Sequence, residues 1–305
     1  MSWTIASAFS EALKRLESAE TSHRQAEAEV EELIGRLLQL GRADLYLQRE
    51  RPLSAEEHRA LQGWIDRRLR GEPIQYITGR AAFRELDLAV TPAVLIPRPE
   101  TELLVETVLE ALRSERTRWP APRVLDLGTG SGAIALAIVK EWPQARLTAT
   151  DRSRAALEVA ERNAAELGLE GHIRFLEGEW FEALPADERF EVVVSNPPYI
   201  ADTELESLPR DVRDHEPSAA LFAGPTGLEA LRSIVDDAPR HLVGGGVLAL
   251  ELAESRAHDV SAWLEGAHDW QHVALRDDLA GRPRILLARR QTGPAIAPAQ
   301  WGEDR

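Results

Sequence analysis

The chain has 305 residues, 44% of them hydrophobic, enough for one large α/β domain and a smaller one. It contains no cysteine, which excludes disulfides, thiol nucleophiles and Cys-ligated zinc or iron–sulfur sites. A formal net charge of −15 disfavours broad, sequence-independent binding to nucleic acid, because phosphates are met by clustered Lys and Arg.

Met1-Ser2-Trp3-Thr4 lacks the basic start and apolar block of a signal peptide, and no run of about 18 apolar residues follows, so a cytoplasmic protein off the membrane is expected. Ile5, Phe9, Leu13 and Leu16 recur at helical spacing, as do Ala26, Val30, Leu33, Leu37 and Leu38. Ser54 and Glu57 have the spacing of a capping box, and Leu61, Trp64, Ile65 and Leu69 continue that helix until Gly71. Residues 1–72 are thus expected to form a small all-helical domain. From Tyr76 to Pro97 the apolar period changes among Gly79, Pro92 and Pro97, which predicts a β-hairpin linker over 73–97.

Helix and strand signals then alternate over 98–290. Helices are predicted at Pro99 to Arg113, from Ser131, and at Ser153 to Leu167. Strands are predicted at Arg123 to Leu127, Ala145 to Thr150, His172 to Leu176, Phe190 to Ser195 and Val247 to Leu252. This is the pattern of a doubly wound, mostly parallel sheet, an α/β Rossmann-like fold. Residues 291–305, rich in Ala, Pro and Gly, read as a flexible tail.

The first of these strands runs into Gly128-Thr129-Gly130-Ser131-Gly132, and such a turn at the carboxyl end of a strand lets backbone approach a nucleotide closely. Asp151 ends the next strand, where a carboxylate can accept both ribose hydroxyls. Gly128, Gly130 and Ala133 also satisfy a dinucleotide fingerprint, so NAD is one reading. Asp126 favours the other, since a carboxylate facing the ligand would repel a pyrophosphate and attract the ammonium and sulfonium of S-adenosylmethionine. Trp180 lies within reach of an adenine ring, or serves the core.

Ser195-Asn196-Pro197-Pro198-Tyr199 follows the strand from Phe190 and faces the same crevice. Two prolines fix the turn and pre-aim the Asn196 side chain and the neighbouring carbonyls. An amide or aromatic amino nitrogen is a poor nucleophile that presents two N–H donors in a plane. The Asn196 oxygen and the Pro197 carbonyl can accept both, aligning the nitrogen with a sulfonium methyl, while Tyr199 stacks on the flat group. Positive charge that develops on the nitrogen is then stabilised by the two acceptor dipoles.

Gly71-Glu72-Pro73-Ile74, Leu95-Ile96-Pro97-Arg98-Pro99-Glu100-Thr101-Glu102, the glycine loop, Asn-Pro-Pro-Tyr, Glu216-Pro217 and Gly227-Leu228 together make the chain resemble the peptide chain release factor N(5)-glutamine methyltransferases, class I S-adenosylmethionine-dependent enzymes. Asn-Pro-Pro-Tyr alone is shared with adenine and guanine amino methyltransferases, which leaves nucleic-acid methylation as the alternative. The resemblance implies a helical N-terminal substrate-docking domain, a hairpin and a seven-stranded methyltransferase domain. The acceptor it implies is the glutamine of a Gly-Gly-Gln motif in release factors, with S-adenosyl-L-homocysteine as product. On that likeness Gly128, Thr129, Gly130, Ser131, Gly132, Asp151, Trp180 and Asn196 would hold the cofactor. Asn196, Pro197, Pro198 and Tyr199 would hold the glutamine, with Asn196, Pro197 and Tyr199 carrying catalysis. A monomer without a metal or direct nucleic-acid binding is expected.

Arg98 and Glu102 are read either as a pair at a helix start or as closing the crevice. His268 and His272 fall in a turn-like surface stretch rather than a metal site. Glu27, Glu29, Glu31 and Glu32 read as a solvated helix face.

Overall fold

Ile5, Ala8, Ala12 and Leu16 are buried along one stripe of α1 (Ile5–Glu17). The computed structural model describes residues 3–17 and 22–292. α2 (His23–Leu38) starts at Ser22, whose hydroxyl accepts from the Gln25 amide, and a short α3 (Arg42–Leu47) follows. α4 (Ala55–Leu69) has a complete capping box of Ser54 and Glu57, and Gly71, at φ 93°, turns the chain away after it. The predicted hairpin begins later than expected. Pro73 starts, and Gly79 in the left-handed region ends, one further helical turn, α5 (Ile74–Thr78), so Tyr76 is helical.

These helices belong to one of two compact units, comprising Met1–Ala81, Val90–Pro92 and Leu208–Glu216. Its core gathers Val30, Leu33, Ile34, Leu61 and Ile65, each at most 1% exposed. The acidic run on α2 is only partly a solvated face. Glu29 accepts from Arg68 Nε at 2.8 Å and from Nη2 at 2.9 Å, and Glu31 pairs with Arg42 at 3.0 Å. The apolar stripe of α2 packs, and the acids beside it reach arginines on neighbouring helices.

The other unit comprises Ala82–Ala89, Ala93–Ser207 and Pro217–Arg305. Strands β1 (Arg80–Phe83) and β2 (Leu86–Ala89) make a two-stranded sheet, and α6 (Pro99–Ser114) follows with Pro99 in its first turn. Then come β3 (Arg123–Leu127), α7 (Ala133–Glu141), β4 (Arg146–Asp151), α8 (Arg154–Glu166), β5 (Ile173–Glu177) and β6 (Phe190–Ser195). After α9 (Arg210–His215), which belongs to the first unit, the chain continues through α10 (Ser218–Leu221), α11 (Glu229–His241), β7 (Leu242–Glu251), α12 (Glu254–Gly266), β8 (Trp270–Asp277) and β9 (Pro283–Arg290).

The seven-stranded sheet has the order β5-β4-β3-β6-β7-β9-β8, parallel from β5 to β7 and antiparallel across β9 and β8. Leu104, Val105, Val108, Leu109 and Leu112 of α6 are fully buried in the core on one face, each worth about 1.5–3 kcal/mol of burial. Leu125, Val193, Leu248 and Leu286 lie in the core on the other. From β3 the chain winds outward to β4 and β5, then returns to β6 on the opposite side of β3. The carboxyl ends of β3 and β6 therefore flank the switch point where such sheets bind ligands.

Two expectations change. β7 starts five residues before the predicted Val247, because Gly244-Gly245-Gly246 hides the first half of the strand from a β-propensity reading. His272 lies in β8 rather than a turn, at φ 53° where the pairing with β9 slips, and like His268 it is exposed. Residues 293–305 of the expected tail lie outside the described residues. Among the described residues no helix is long and apolar enough to cross a membrane, and no group of His, Cys, Asp or Glu could hold a metal.

Candidate active site

Ser195 Oγ donates to the Leu127 carbonyl at 2.7 Å, tying the ends of β6 and β3 together. A cleft opens above that tie. Its floor is Gly128, Thr129, Gly130 and Ser131, one side carries Asp151 and Trp180, and the other Thr101, Asn196 and Pro198. The structure thus brings most of the sequence-predicted residues to one place.

Gly128, Gly130 and Gly132 all have positive φ, of 68°, 56° and 81°. Their surroundings differ. A Cβ at Gly130 would meet nothing within 4 Å, whereas one at Gly132 would come within 3.1 Å of Leu136 and 3.2 Å of Ala160. Gly130 leaves the loop open to a ligand, and Gly132 lets α7 and α8 approach. Thr129 is buried with its hydroxyl donated to Asp126 at 2.6 Å, and Ser131 is also buried, its carbonyl accepting from Asn163 at 2.9 Å.

Asp126 corrects the sequence reading. It does not line the cleft but sits fully buried beneath the loop. Its Oδ1 has no hydrogen-bond partner of normal geometry. Burial pushes its carboxyl up to about 7, opposed by the Thr129 hydroxyl and the Ala135 amide and reinforced by Asp151. A buried carboxylate with one oxygen unpartnered just under an open glycine loop favours a cationic group above it, so the donor set fits an ammonium and sulfonium ligand. Any repulsion of a pyrophosphate by its charge would be exerted through the loop rather than by direct contact.

Asp151 is held at both oxygens, Oδ2 accepting from the Gly130 amide at 2.9 Å and Oδ1 from the Ser153 amide at 2.8 Å. Burial raises its carboxyl and these two amides pull it back down. The clamp fixes the carboxylate's direction and leaves lone pairs for hydroxyl donors. Trp180, at φ 48°, closes the cleft over Gly128, where a Cβ would lie 3.5 Å from its ring, and its carbonyl accepts from Thr150 Oγ1 at 3.0 Å.

Asn196 and Pro198 face this cleft, whereas Pro197 is buried and Tyr199 packs against the core beneath β6. Burial and then the Glu251 charge push the Tyr199 hydroxyl up to about 12, so the phenol stays neutral. Close approach on the far side of the turn needs Gly227. At φ 75°, its Cβ would fall 2.6 Å from the Tyr199 carbonyl and 2.9 Å from the Ala201 amide.

Glu102 is not partnered as expected. Its Oε1 accepts from the Arg84 amide at 2.8 Å at the hairpin turn, while Arg98 lines the cleft.

Three contributors escaped the sequence reading. Asn163 of α8, 1% exposed, accepts from the Ala89 amide at 2.7 Å and donates to the carbonyls of Ala89 and Ser131. It therefore staples the hairpin end to the glycine loop. Thr101 accepts from Asn196 Nδ2 at 3.1 Å, and its hydroxyl holds the carboxyl of Glu251, 1% exposed, down against burial. A lone acid ending the apolar strand Val247-Leu248-Ala249-Leu250 was the available signal for Glu251.

Residues 7–79 match the PrmC N-terminal domain family and residues 99–209 the methyltransferase small domain family. The chain is 40% identical over 289 residues to the release factor glutamine methyltransferase of Koribacter versatilis (strain Ellin345), covering 95% of this chain and 99% of that protein. It is 44% identical over 271 residues to that of Xylella fastidiosa (strain Temecula1), covering 89% and 96%. Among solved structures, the hMettl16 catalytic domain in complex with MAT2A 3'UTR hairpin 6 shares the fold, with TM-score 0.54 and 14% identity over 80% of this chain and 84% of that one.

Proposed function

Because the chain belongs to the release factor glutamine methyltransferase family, we propose that it transfers a methyl group from S-adenosyl-L-methionine to the side-chain amide nitrogen of the Gly-Gly-Gln glutamine of peptide chain release factors. One observation supports this reading above the others. The Asn-Pro-Pro-Tyr turn and the glycine loop, 68 residues apart from Leu127 to Ser195, meet at one cleft at the switch point of the sheet.

The cofactor supplies an electrophilic methyl on a sulfonium. Gly128, Thr129, Gly130 and Ser131 hold it by backbone approach, with the Asp126 charge beneath them, and Gly132 lets the helices pack behind the loop. Asp151 accepts from its ribose hydroxyls and Trp180 covers its adenine. Asn196 Oδ1 and the Pro197 carbonyl accept the two N–H groups of the glutamine amide, which points its nitrogen at the methyl and stabilises the charge that develops there. Pro198 rigidifies the turn, and neutral Tyr199, packed against the core rather than facing the cleft, anchors the turn from behind. Cofactor and acceptor residues come from one chain, so a monomer is sufficient, and the helical N-terminal region docks the release factor.

Labelled methyl transfer from S-adenosylmethionine to a purified release factor tests the reading. Label is expected in the factor, and Asn196→Ala should lower turnover by roughly 10²-fold or more while leaving cofactor affinity largely intact. Label entering DNA or RNA but not the factor would promote the nucleic-acid alternative instead.

A further inference from the structure

Glu251 is a buried carboxylate that the proposed chemistry does not use. It ends β7 one residue beyond Leu250, which pairs with Ser195, so it lies beside the start of the Asn-Pro-Pro-Tyr turn. It is 1% exposed, and its Oε2 has no hydrogen-bond partner. The Arg284 guanidinium, whose charge favours that of Glu251, is directed elsewhere, Nη1 donating to the Leu252 carbonyl at 3.0 Å and Nη2 pairing with Asp278 at 3.5 Å. A buried carboxylate without an ion-pair partner costs stability, so the fold retains it at a penalty.

The hydroxyl that holds its carboxyl down against burial is that of Thr101, itself only 4% exposed in the first turn of α6. A hydroxyl has a single proton. Donated to the Glu251 carboxylate, that proton leaves Thr101 Oγ1 able only to accept from its other neighbour, which is Asn196 Nδ2 at 3.1 Å. With its NH2 engaged inward, the Asn196 amide presents Oδ1 outward. A carboxylate accepts and never donates, so the order of the chain cannot be reversed while Glu251 is charged. Without that charge, the Thr101 proton could go to the Asn196 oxygen. The amide would then turn over and offer N–H groups to an acceptor that also offers N–H groups.

We propose that Glu251, acting through the Thr101 hydroxyl, fixes the polarity of the Asn196 amide, and so serves as a positioning residue for methyl transfer. The consequence for catalysis rests on the proposed glutamine methylation, whereas the orientation itself does not. Glu251 faces Arg284 and Arg98, which favour its charge, and Glu100, which opposes it, with Tyr199 alongside. Burial outweighs these and pushes its carboxyl up to about 7, so its charge, and with it the rate of turnover, changes near neutral pH.

Two readouts on the full-length protein test this. In turnover with a release factor, Glu251→Gln and Thr101→Val should each lower kcat by roughly 10-fold or more, with cofactor Kd within about twofold of the parent, and Thr101→Ser should restore most of the loss. The parent kcat should fall on the acid side of about pH 7, and that limb should be absent from Glu251→Gln. Independently of activity, the Asn196 side-chain amide should give one set of 15N-edited NMR resonances in the parent and exchange-broadened ones in Glu251→Gln and Thr101→Val. An unchanged kcat with unchanged amide resonances would overturn the proposal, as would an acid limb that persists in Glu251→Gln. Loss of cofactor affinity matching the loss of kcat would also overturn it, by making these residues part of the cofactor site. Sharp parent resonances that broaden in the variants, in a protein that methylates no release factor, would sink the substrate reading and leave the positioning role standing.

Discussion

Asp126 is a fully buried charge that does not line the cleft, so any effect it has on a ligand there is exerted without contact. Its folded carboxyl titrates at about 7, well above the ordinary aspartate value, so between those values the native state binds a proton that the unfolded chain has lost. Its contribution to stability is therefore fully present in acid and is lost as pH rises through about 7. Asp126→Asn should accordingly be more resistant to denaturant than the parent at about pH 8, with the difference shrinking towards about pH 5, when urea unfolding is followed at both. The same variant should bind S-adenosylmethionine less tightly. In the parent, a cationic ligand above the loop should draw the proton off Asp126, so affinity should strengthen from about pH 6 to about pH 8, with proton release seen by calorimetry in buffers of different ionisation enthalpy. Equal cofactor affinity and pH dependence in parent and variant would remove Asp126 from the cofactor's electrostatics.

At the level of elements, the loop and the turn were legible because each is local. Glycines, prolines and strand ends within a few residues declare a bent backbone and its position on the sheet. What holds those segments was not legible, because the partners are distant in the chain. Asn196 reaches Thr101 across 95 positions, and Asn163 reaches Ala89 across 74. No spacing rule links such residues before the fold is known. β8 and β9 were hidden in another way, since β8 mixes exposed and part-buried positions and carries an irregular pairing at His272. Gly227 was quoted only for its likeness to a family pattern, and the structure supplies a physical reason. Gly227→Ala would place a methyl group 2.6 Å from the Tyr199 carbonyl at a φ of 75°. It should lower unfolding free energy by about 1–3 kcal/mol and turnover together, by displacing the turn that carries Asn196. Thermal unfolding and kcat measured on the same preparation check this, and a stable variant of full activity would show the turn to be more tolerant than its contacts suggest.

Across the whole molecule, the fold divides the work. A seven-stranded sheet brings the loop after β3 and the turn after β6 to one cleft, and the helical unit is built around its own core of Leu33, Ile34, Leu61 and Ile65. The acidic balance of −15 fits an enzyme that meets a protein acceptor rather than bare nucleic acid, although charge alone does not choose a glutamine. If the helical unit docks the acceptor protein, hydrogen exchange in the presence of a release factor should slow amides within α1 to α5. Protection confined to the sheet unit would assign docking elsewhere.

The central claim is the identity of the acceptor atom, and tandem mass spectrometry of a release factor digested after incubation with the enzyme and S-adenosylmethionine addresses it directly. One added methyl, localised by fragmentation to the glutamine of the Gly-Gly-Gln peptide and absent when the cofactor is omitted, is the expected result. A digest in which that glutamine remains unmodified, or in which the methyl maps to another side chain, would contradict it.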